Sequence, residues 1–126
     1  MKIVGRQIRL AGSDLSNHLA CRHLTSLELE VVQGERTAPD WAAPDLKVIQ
    51  ELGLRHEAAY LAHLSAQGLV VENLGQIDHK EEERLLEQTL ALMERGAKVI
   101  AQGALSDGAW FGRPDVLRRV ETASKR

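Results

Sequence analysis

Two residues stand out for the chemistry their types allow, His56 and Asp115. His56 lies on a stripe of Leu46, Ile49, Leu52, Gly53, His56, Tyr60 and Leu64 whose spacing is close to 3.6, so a helix turns it inward. An imidazole on an otherwise apolar face can ligate a metal or move a proton. The alternative is a core histidine hydrogen-bonded to a backbone carbonyl. Asp115 follows Pro114 in GRPDVL and must either meet solvent or have a partner, because buried carboxylates rarely stay unpaired. Arg113, Arg118 and Arg119 are near enough in sequence to neutralise it. Otherwise it is suited to Mg²⁺ or Mn²⁺, hard cations that take oxygen donors and retain waters, and metal-activated water attacks phosphodiesters. Glu57, about a quarter-turn from His56, is expected to be solvated. His18, His23, His63 and His79 have no zinc spacing and are expected at the surface. Cys21 is the sole cysteine, so it makes neither an internal disulfide nor a metal site by itself, and is expected as a small buried apolar residue on the first helix.

The elements that must position these residues read as three helices followed by a hairpin. Residues 1–12 suit a short strand or extended arm. Ser13 or Asp14 caps a helix over about 14–33 whose Leu15, Leu19, Leu24, Leu27 and Val31 recur at helical spacing, and Gly34 stops it. A connection containing Trp41 leads to Pro44 and Asp45, which open a second helix over 45–67 that ends at Gly68. The apolar run Leu69, Val70 and Val71 and a turn at Gly75 precede a capping box of Asp78 and Glu81. The third helix, 79–95, turns Leu85, Leu86, Leu90 and Met93 inward and closes at Gly96. Beyond it the pattern becomes strand, turn, strand: 97–105, then Ser106-Asp107-Gly108, then 109–120. Alternation places Phe111, Arg113, Asp115 and Leu117 on one face and Trp110, Val116 and Val120 on the other. Pro114 cannot donate a ladder hydrogen bond, so the strand should bend just before Asp115. The expected fold is α+β, helices packed on an antiparallel hairpin, in a single domain over 1–126 with 1–43 an arm and Cys-bearing helix and 44–126 the start of a core.

The bulk properties exclude several classes. The chain has 126 residues, 44% of them apolar and 27% charged, which is too apolar for intrinsic disorder. Its formal net charge of −2 removes the global pull of a protein that coats nucleic acid. The segment from Arg113 onward is locally basic and residues 72–87 are acidic. No apolar run reaches the roughly 18 residues of a membrane span, and the N-terminus lacks a signal-peptide apolar region, so a cytoplasmic protein with no membrane partner is expected.

Four segments, SDLSNHLACRHLTSLELEVVQG, GLRHEAAYLAHLSAQG, AKVIAQGAL and DGAWFGRPDVLRRVE, taken in this order, resemble the RecB-like branch of the PD-(D/E)xK nuclease superfamily over about residues 12–121. The resemblance implies DNA as partner and His56 and Asp115 as ligands of a catalytic Mg²⁺ or Mn²⁺. In that family the next strand supplies an acidic residue and a lysine as E/D-x-K. Here the only acid after Asp115 is Glu121, position 123 is alanine, and Lys125 lies too far along to share its strand face. Cys21 matches the family's upstream ligand to a [4Fe–4S] cluster, whose three downstream cysteines are missing from this chain. Arg113, Arg118 and Arg119 are expected as phosphate contacts.

The expected function is therefore that of an N-terminal or truncated part of a metal-dependent DNA nuclease, inactive alone. The alternative is a non-catalytic assembly module that pairs through its hairpin edge, either as a homodimer or with a C-terminal partner chain.

Overall fold

The computed structural model describes residues 1–40 and 45–122. The expected helix start at Pro44, the connection residue Trp41, and Ala123 and Lys125 lie outside the described residues. The elements run β1 (Lys2–Val4), β2 (Gln7–Arg9), α1 (Gly12–Ala20), α2 (Arg22–Val32), α3 (Leu46–Ala66), β3 (Val71–Asn73), α4 (Glu82–Glu94), β4 (Val99–Ala101), β5 (Leu105–Ser106), β6 (Phe111–Gly112) and β7 (Val116–Arg118). The class is α+β. The chain divides into two compact units, one of Met1–Ala42 with Ser106–Gly112, the other of Ala43–Leu105 with Arg113–Arg126.

In the first unit the expected arm is a hairpin, β1 antiparallel to β2 with Ile3 opposite Ile8, turned at Gly5. The expected single helix over 14–33 is two helices, because Cys21 takes an extended conformation (φ −158°, ψ 109°). Its N–H still bonds the Asn17 carbonyl at 2.8 Å and its carbonyl accepts the Leu24 N–H at 3.0 Å, so it ends α1 and begins α2. Side chains then clasp the two helices: Asn17 Nδ2 donates to Glu28 Oε1 at 2.6 Å, and His18 Nδ1 bonds Thr25 Oγ1 at 2.9 Å. These bonds need tertiary partners, which helical spacing does not reveal.

The cap is also displaced. Ala11 occupies the N-cap of α1, and Asp14 reaches back so that its Oδ2 accepts the Ala11 N–H at 2.6 Å. Asp14 Oδ1 takes the Met1 ammonium at 2.5 Å, and Asp14 is the only buried residue of this unit among those described. Burial works to raise its carboxyl pKa. The bonds from the ammonium and from the Ala11 N–H, with the ammonium's charge, outweigh burial and hold it below the ordinary 3.8. The Ser106-Asp107-Gly108 turn forms as expected, Trp110 N–H bonding Asp107 Oδ1 at 2.9 Å. It is tied to the N-terminal hairpin by Leu10 N–H to Ala109 O at 2.9 Å and Phe111 N–H to Leu10 O at 2.8 Å.

The second unit holds the apolar core. Its sheet has the order β3-β4-β7, with β3 parallel to β4 (Val71 opposite Val99) and β4 antiparallel to β7 (Ile100 opposite Leu117). The parallel strand is an addition to the expected hairpin. That hairpin is itself interrupted: β4 pairs β7, whereas β5 pairs β6 as a separate short ladder. The break between β6 and β7 contains Pro114, as its missing donor requires.

α4 starts at Glu82 rather than 79, because Asp78 Oδ1 accepts the Lys80 N–H at 2.9 Å in a local turn and forms no capping box. Its buried residues are Leu85, Thr89 and Leu92, whereas the expected inner residues Leu90 and Met93 are about half exposed. Thr89 earns its place through two bonds: its hydroxyl donates to Leu85 O at 2.7 Å and accepts the Ala104 N–H at 2.9 Å. Leu85, Val99, Ala101 and Ala104 are, like Thr89, wholly inaccessible.

α3 matches the expected span, and Gly68 beyond it, like Gly96 beyond α4, has the positive φ (81° and 77°) that ends a helix at low cost for glycine. Its burial does not match. Leu64, near the end that meets β3, is its one buried residue, while Leu46, Ile49, Leu52 and Tyr60 are exposed and so is His56. Helical spacing identifies a shared face but not whether another element covers it. Among the described residues no helix is long and apolar enough to cross a membrane.

Candidate functional site

Both sequence-chosen residues line one cleft in the second unit. The cleft has a volume of about 730 Å³ and is walled by Gln50, Gly53, Leu54, His56, Glu57 and Tyr60 of α3 and by Asp115 and Val116 of the hairpin's return. On a helix advancing about 100° per residue, Gly53, Glu57 and Tyr60 form the middle of that wall and His56 its flank. The accessibilities agree, Glu57 being half-buried and His56 exposed. The expected inward histidine is therefore corrected to a residue on the cleft's margin, and the expected solvated Glu57 to a residue in its wall.

Asp115 reaches the cleft because the strand stops before it. β6 ends at Gly112, Pro114 prevents further pairing, and β7 resumes at Val116. The Asp115 side chain is exposed, with no ion pair or side-chain hydrogen bond among the described residues, so the expected neutralisation by Arg113, Arg118 or Arg119 does not occur. Its backbone carbonyl accepts the Gln102 N–H at 2.9 Å.

Gln102 is the one non-glycine residue with positive φ (55°) among those described. A left-handed conformation costs a non-glycine residue about 1–2 kcal/mol. Two bonds hold it there: the backbone bond to Asp115, and a side-chain bond in which Nε2 donates to Glu57 Oε1 at 2.5 Å. Gly103 follows, packed so closely that a Cβ there would lie 3.2 Å from Thr89 Cγ2 and 3.3 Å from Leu117 Cδ1. One residue thus joins the helix wall of the cleft to its hairpin wall.

His56, Glu57 and Asp115 together offer one imidazole and two carboxylates. Among the described residues no three His, Cys, Asp or Glu side chains gather closely enough to enclose an ion. The donors suit a hydrated Mg²⁺ or Mn²⁺, which binds through one or two carboxylates and keeps its waters, and do not suit a closed cage. An iron–sulphur cluster does not fit, since it needs four thiolates and Cys21 is the only cysteine. Cys21 is exposed at the break between α1 and α2, in the first unit, where a buried position on an unbroken helix was expected.

The arginines lie elsewhere. Arg118 and Arg119 line a separate recess of about 200 Å³ with Met93, Ala97, Ile100 and Leu117, and Arg119 lies so close over Gly96 that a Cβ there would meet its Nη1 at 2.6 Å. Arg113 is half-buried, with an inaccessible Nε that has no hydrogen-bond partner. His18, His23, His63 and His79 are exposed, as expected.

The sequence reading expected Glu57 in solvent and missed Gln102, which bonds Glu57 and the Asp115 backbone without lining the cleft. Glu57 was within reach of that reading, since it lies four residues after Gly53 and three before Tyr60, which the stripe already included. Gln102 left no signal, because neither its left-handed backbone nor its long-range bond shows in local sequence. No protein-family model, curated protein or solved structure matches the chain, and the reading of the cleft rests on its own residues and geometry.

Proposed function

We propose that the chain carries the helix histidine and hairpin aspartate of a RecB-like, metal-dependent nuclease that acts on DNA phosphodiester bonds in the cytoplasm, and that without an E-x-K motif it has no turnover by itself. The observation that carries this reading is the convergence of His56 and Asp115, chosen for their chemistry and far apart in sequence, on one cleft. A bound Mg²⁺ or Mn²⁺ would activate a water there for attack on phosphorus. The chain's own part is to hold that ion, His56 through its imidazole and Asp115 through a carboxylate left exposed by the break at Pro114. The acid and lysine that the resemblance assigns to a following strand are not among these 126 residues. Among the described strands β7 pairs only with β4, so its other edge has the unpaired donors and acceptors on which such a strand would add.

The test is cleavage of labelled single- and double-stranded DNA with Mn²⁺, by this chain and by a longer chain in which an E-x-K strand follows Arg126. The short chain should give no product and the longer one should cut, losing activity with Asp115→Ala. Cutting by the short chain would refute the dependence on added residues, and an inert longer chain would refute the nuclease.

The same edge supports a second reading, a non-catalytic module that pairs through β7 as a homodimer or with a partner subunit. Size-exclusion chromatography with light scattering separates the two, since a strictly monomeric chain at high concentration rules out self-pairing.

A further inference from the structure

The stripe of Leu24, Leu27 and Val31 that helical spacing identifies in α2 is not packed away in the first unit. Leu24 is exposed, Leu27 and Val31 are half-buried, and all three open on a cavity of about 540 Å³. Glu28 and Val32 complete its α2 wall, since at about 100° per residue the five side chains leave the helix on one side. The chain then turns back. Gly34 has the positive φ (79°) such a reversal needs, and the Glu30 carbonyl accepts the N–H of Glu35 at 2.8 Å and of Arg36 at 3.2 Å. Arg36 Nε donates to Glu30 Oε2 at 2.7 Å, which helps to hold the following Thr37, Ala38 and Pro39 as lining of the same cavity.

Glu28 is the one charge among the described lining residues that has no counter-charge. The Met1 ammonium is taken by Asp14, and Arg36 by Glu30. Glu28 Oε1 accepts Asn17 Nδ2 at 2.6 Å, but Oε2 is inaccessible and has no hydrogen-bond partner. A carboxylate oxygen cut off from solvent and from protein donors is costly, and a cation that donates to it removes that cost. Pockets of roughly 300–1,000 Å³ that are mostly apolar, with a few placed polar groups, are the usual form of small-molecule sites. We propose that this cavity binds a small organic ammonium ion, its alkyl or aryl body against Leu24, Leu27 and Val31 and its charged head donating to Glu28 Oε2. The last torsion of a glutamate is broad, so a small turn presents Oε2 to the cation while Asn17 keeps Oε1. Charge selects against the other ligand classes: an anion would meet Glu28 as a like charge, and an alcohol would form only the weaker bond of a neutral donor. The site shares no residue with the α3 cleft and does not depend on the metal reading.

The test is an amide NMR titration of the whole chain, at physiological ionic strength, with hexylammonium, hexanol and hexanoate, which share one alkyl body. Hexylammonium should shift the amides of Leu24, Leu27, Glu28, Val31 and Thr37 and bind about tenfold or more tightly than hexanol, as a charge-assisted bond warrants, with hexanoate the weakest. That ranking needs no variant. In Glu28→Gln, which keeps the side-chain shape and an acceptor for Asn17, the preference for the ammonium over the alcohol should shrink to about twofold or less, with hexanol binding unchanged. Glu28→Met removes both oxygens and should give the same reading, so one folded variant suffices. Four results would overturn the proposal: no saturable binding of hexylammonium, hexanol or hexanoate binding as tightly, shifts centred outside the α2 wall, or an ammonium preference that persists in Glu28→Gln. Movement of the same amides when the protein alone is concentrated would put a second copy in the cavity and would overturn it too.

Discussion

The two units are held together by opposite means. In the second, Leu64, Leu85, Val99, Ile100, Ala101 and Ala104 are buried, and so is Thr89. In the first, the one buried residue among those described is a carboxylate, Asp14, and the visible ties are polar: Asn17 to Glu28, His18 to Thr25, and Arg36 to Glu30 at 2.7 Å. Lys2 and Arg9 add two cations, each 5.9 Å from the centre of the Phe111 ring. Buried apolar area carries no titrating group and is not screened, whereas ion pairs depend on pH and weaken as salt screens them. The lesson is that the cleft is built on the unit whose buried residues are mainly apolar, with its one strained residue, Gln102, adjoining the fully buried strand β4.

The largest break in this contrast should come from Leu85→Ala. It empties a site with no solvent access and should cost about 2–5 kcal/mol, read as a fall in the urea midpoint and as faster amide exchange throughout α4 and β4. Asp14→Asn should cost about 2 kcal/mol, with the increased exchange confined to β1, β2 and α1. The wild-type protein should lose the same contribution in acid. The folded Asp14 pKa lies below 3.8, so its stabilisation is complete above that value and disappears as pH falls through the lowered one. Exchange measured from pH 6 to pH 3 should therefore loosen the first unit before the second, and uniform loosening would contradict the contrast.

Thr89→Val sharpens the comparison from the other side, because it keeps the volume of a core residue and removes only its bonds. Leaving the Ala104 N–H unpaired in a dry core should cost about 1–2 kcal/mol, comparable with the polar ties of the first unit. The smallest effect should come from Glu121→Gln, which breaks an exposed pair with Lys98 at 3.0 Å. The bond from Lys98, its charge and that of Arg119 lower the Glu121 pKa, which carboxyl NMR should show, yet the urea midpoint should stay within error.

Much of the framework was legible because it depends on local chemistry. The ends of helices at Gly34, Gly68 and Gly96, the turn at Ser106-Asp107-Gly108 and the interruption at Pro114 follow from what one residue's backbone permits. The choice of His56 and Asp115 was likewise a matter of side-chain type, and the structure puts both in one cleft. Misreadings occurred wherever a distant partner decided. Leu90 and Met93 were expected inward, but the buried place between Leu85 and Leu92 goes to Thr89, whose hydroxyl accepts the Ala104 N–H. Cys21 breaks a helix whose pattern runs on, because Asn17 and His18 bond across the break to Glu28 and Thr25.

The sequence by itself determined an α+β chain, the span of α3, the glycines and the proline at which elements stop, and an imidazole and a carboxylate as candidates for chemistry, since these depend on residue type and on spacing within one element. Only the tertiary structure decided that a parallel strand joins the hairpin, that Glu57 rather than His56 occupies the middle of the cleft wall, and that Gln102 holds it. Those outcomes depend on which segments meet, and a left-handed backbone at Gln102 becomes affordable only when Asp115 and Glu57 are both there to bond it.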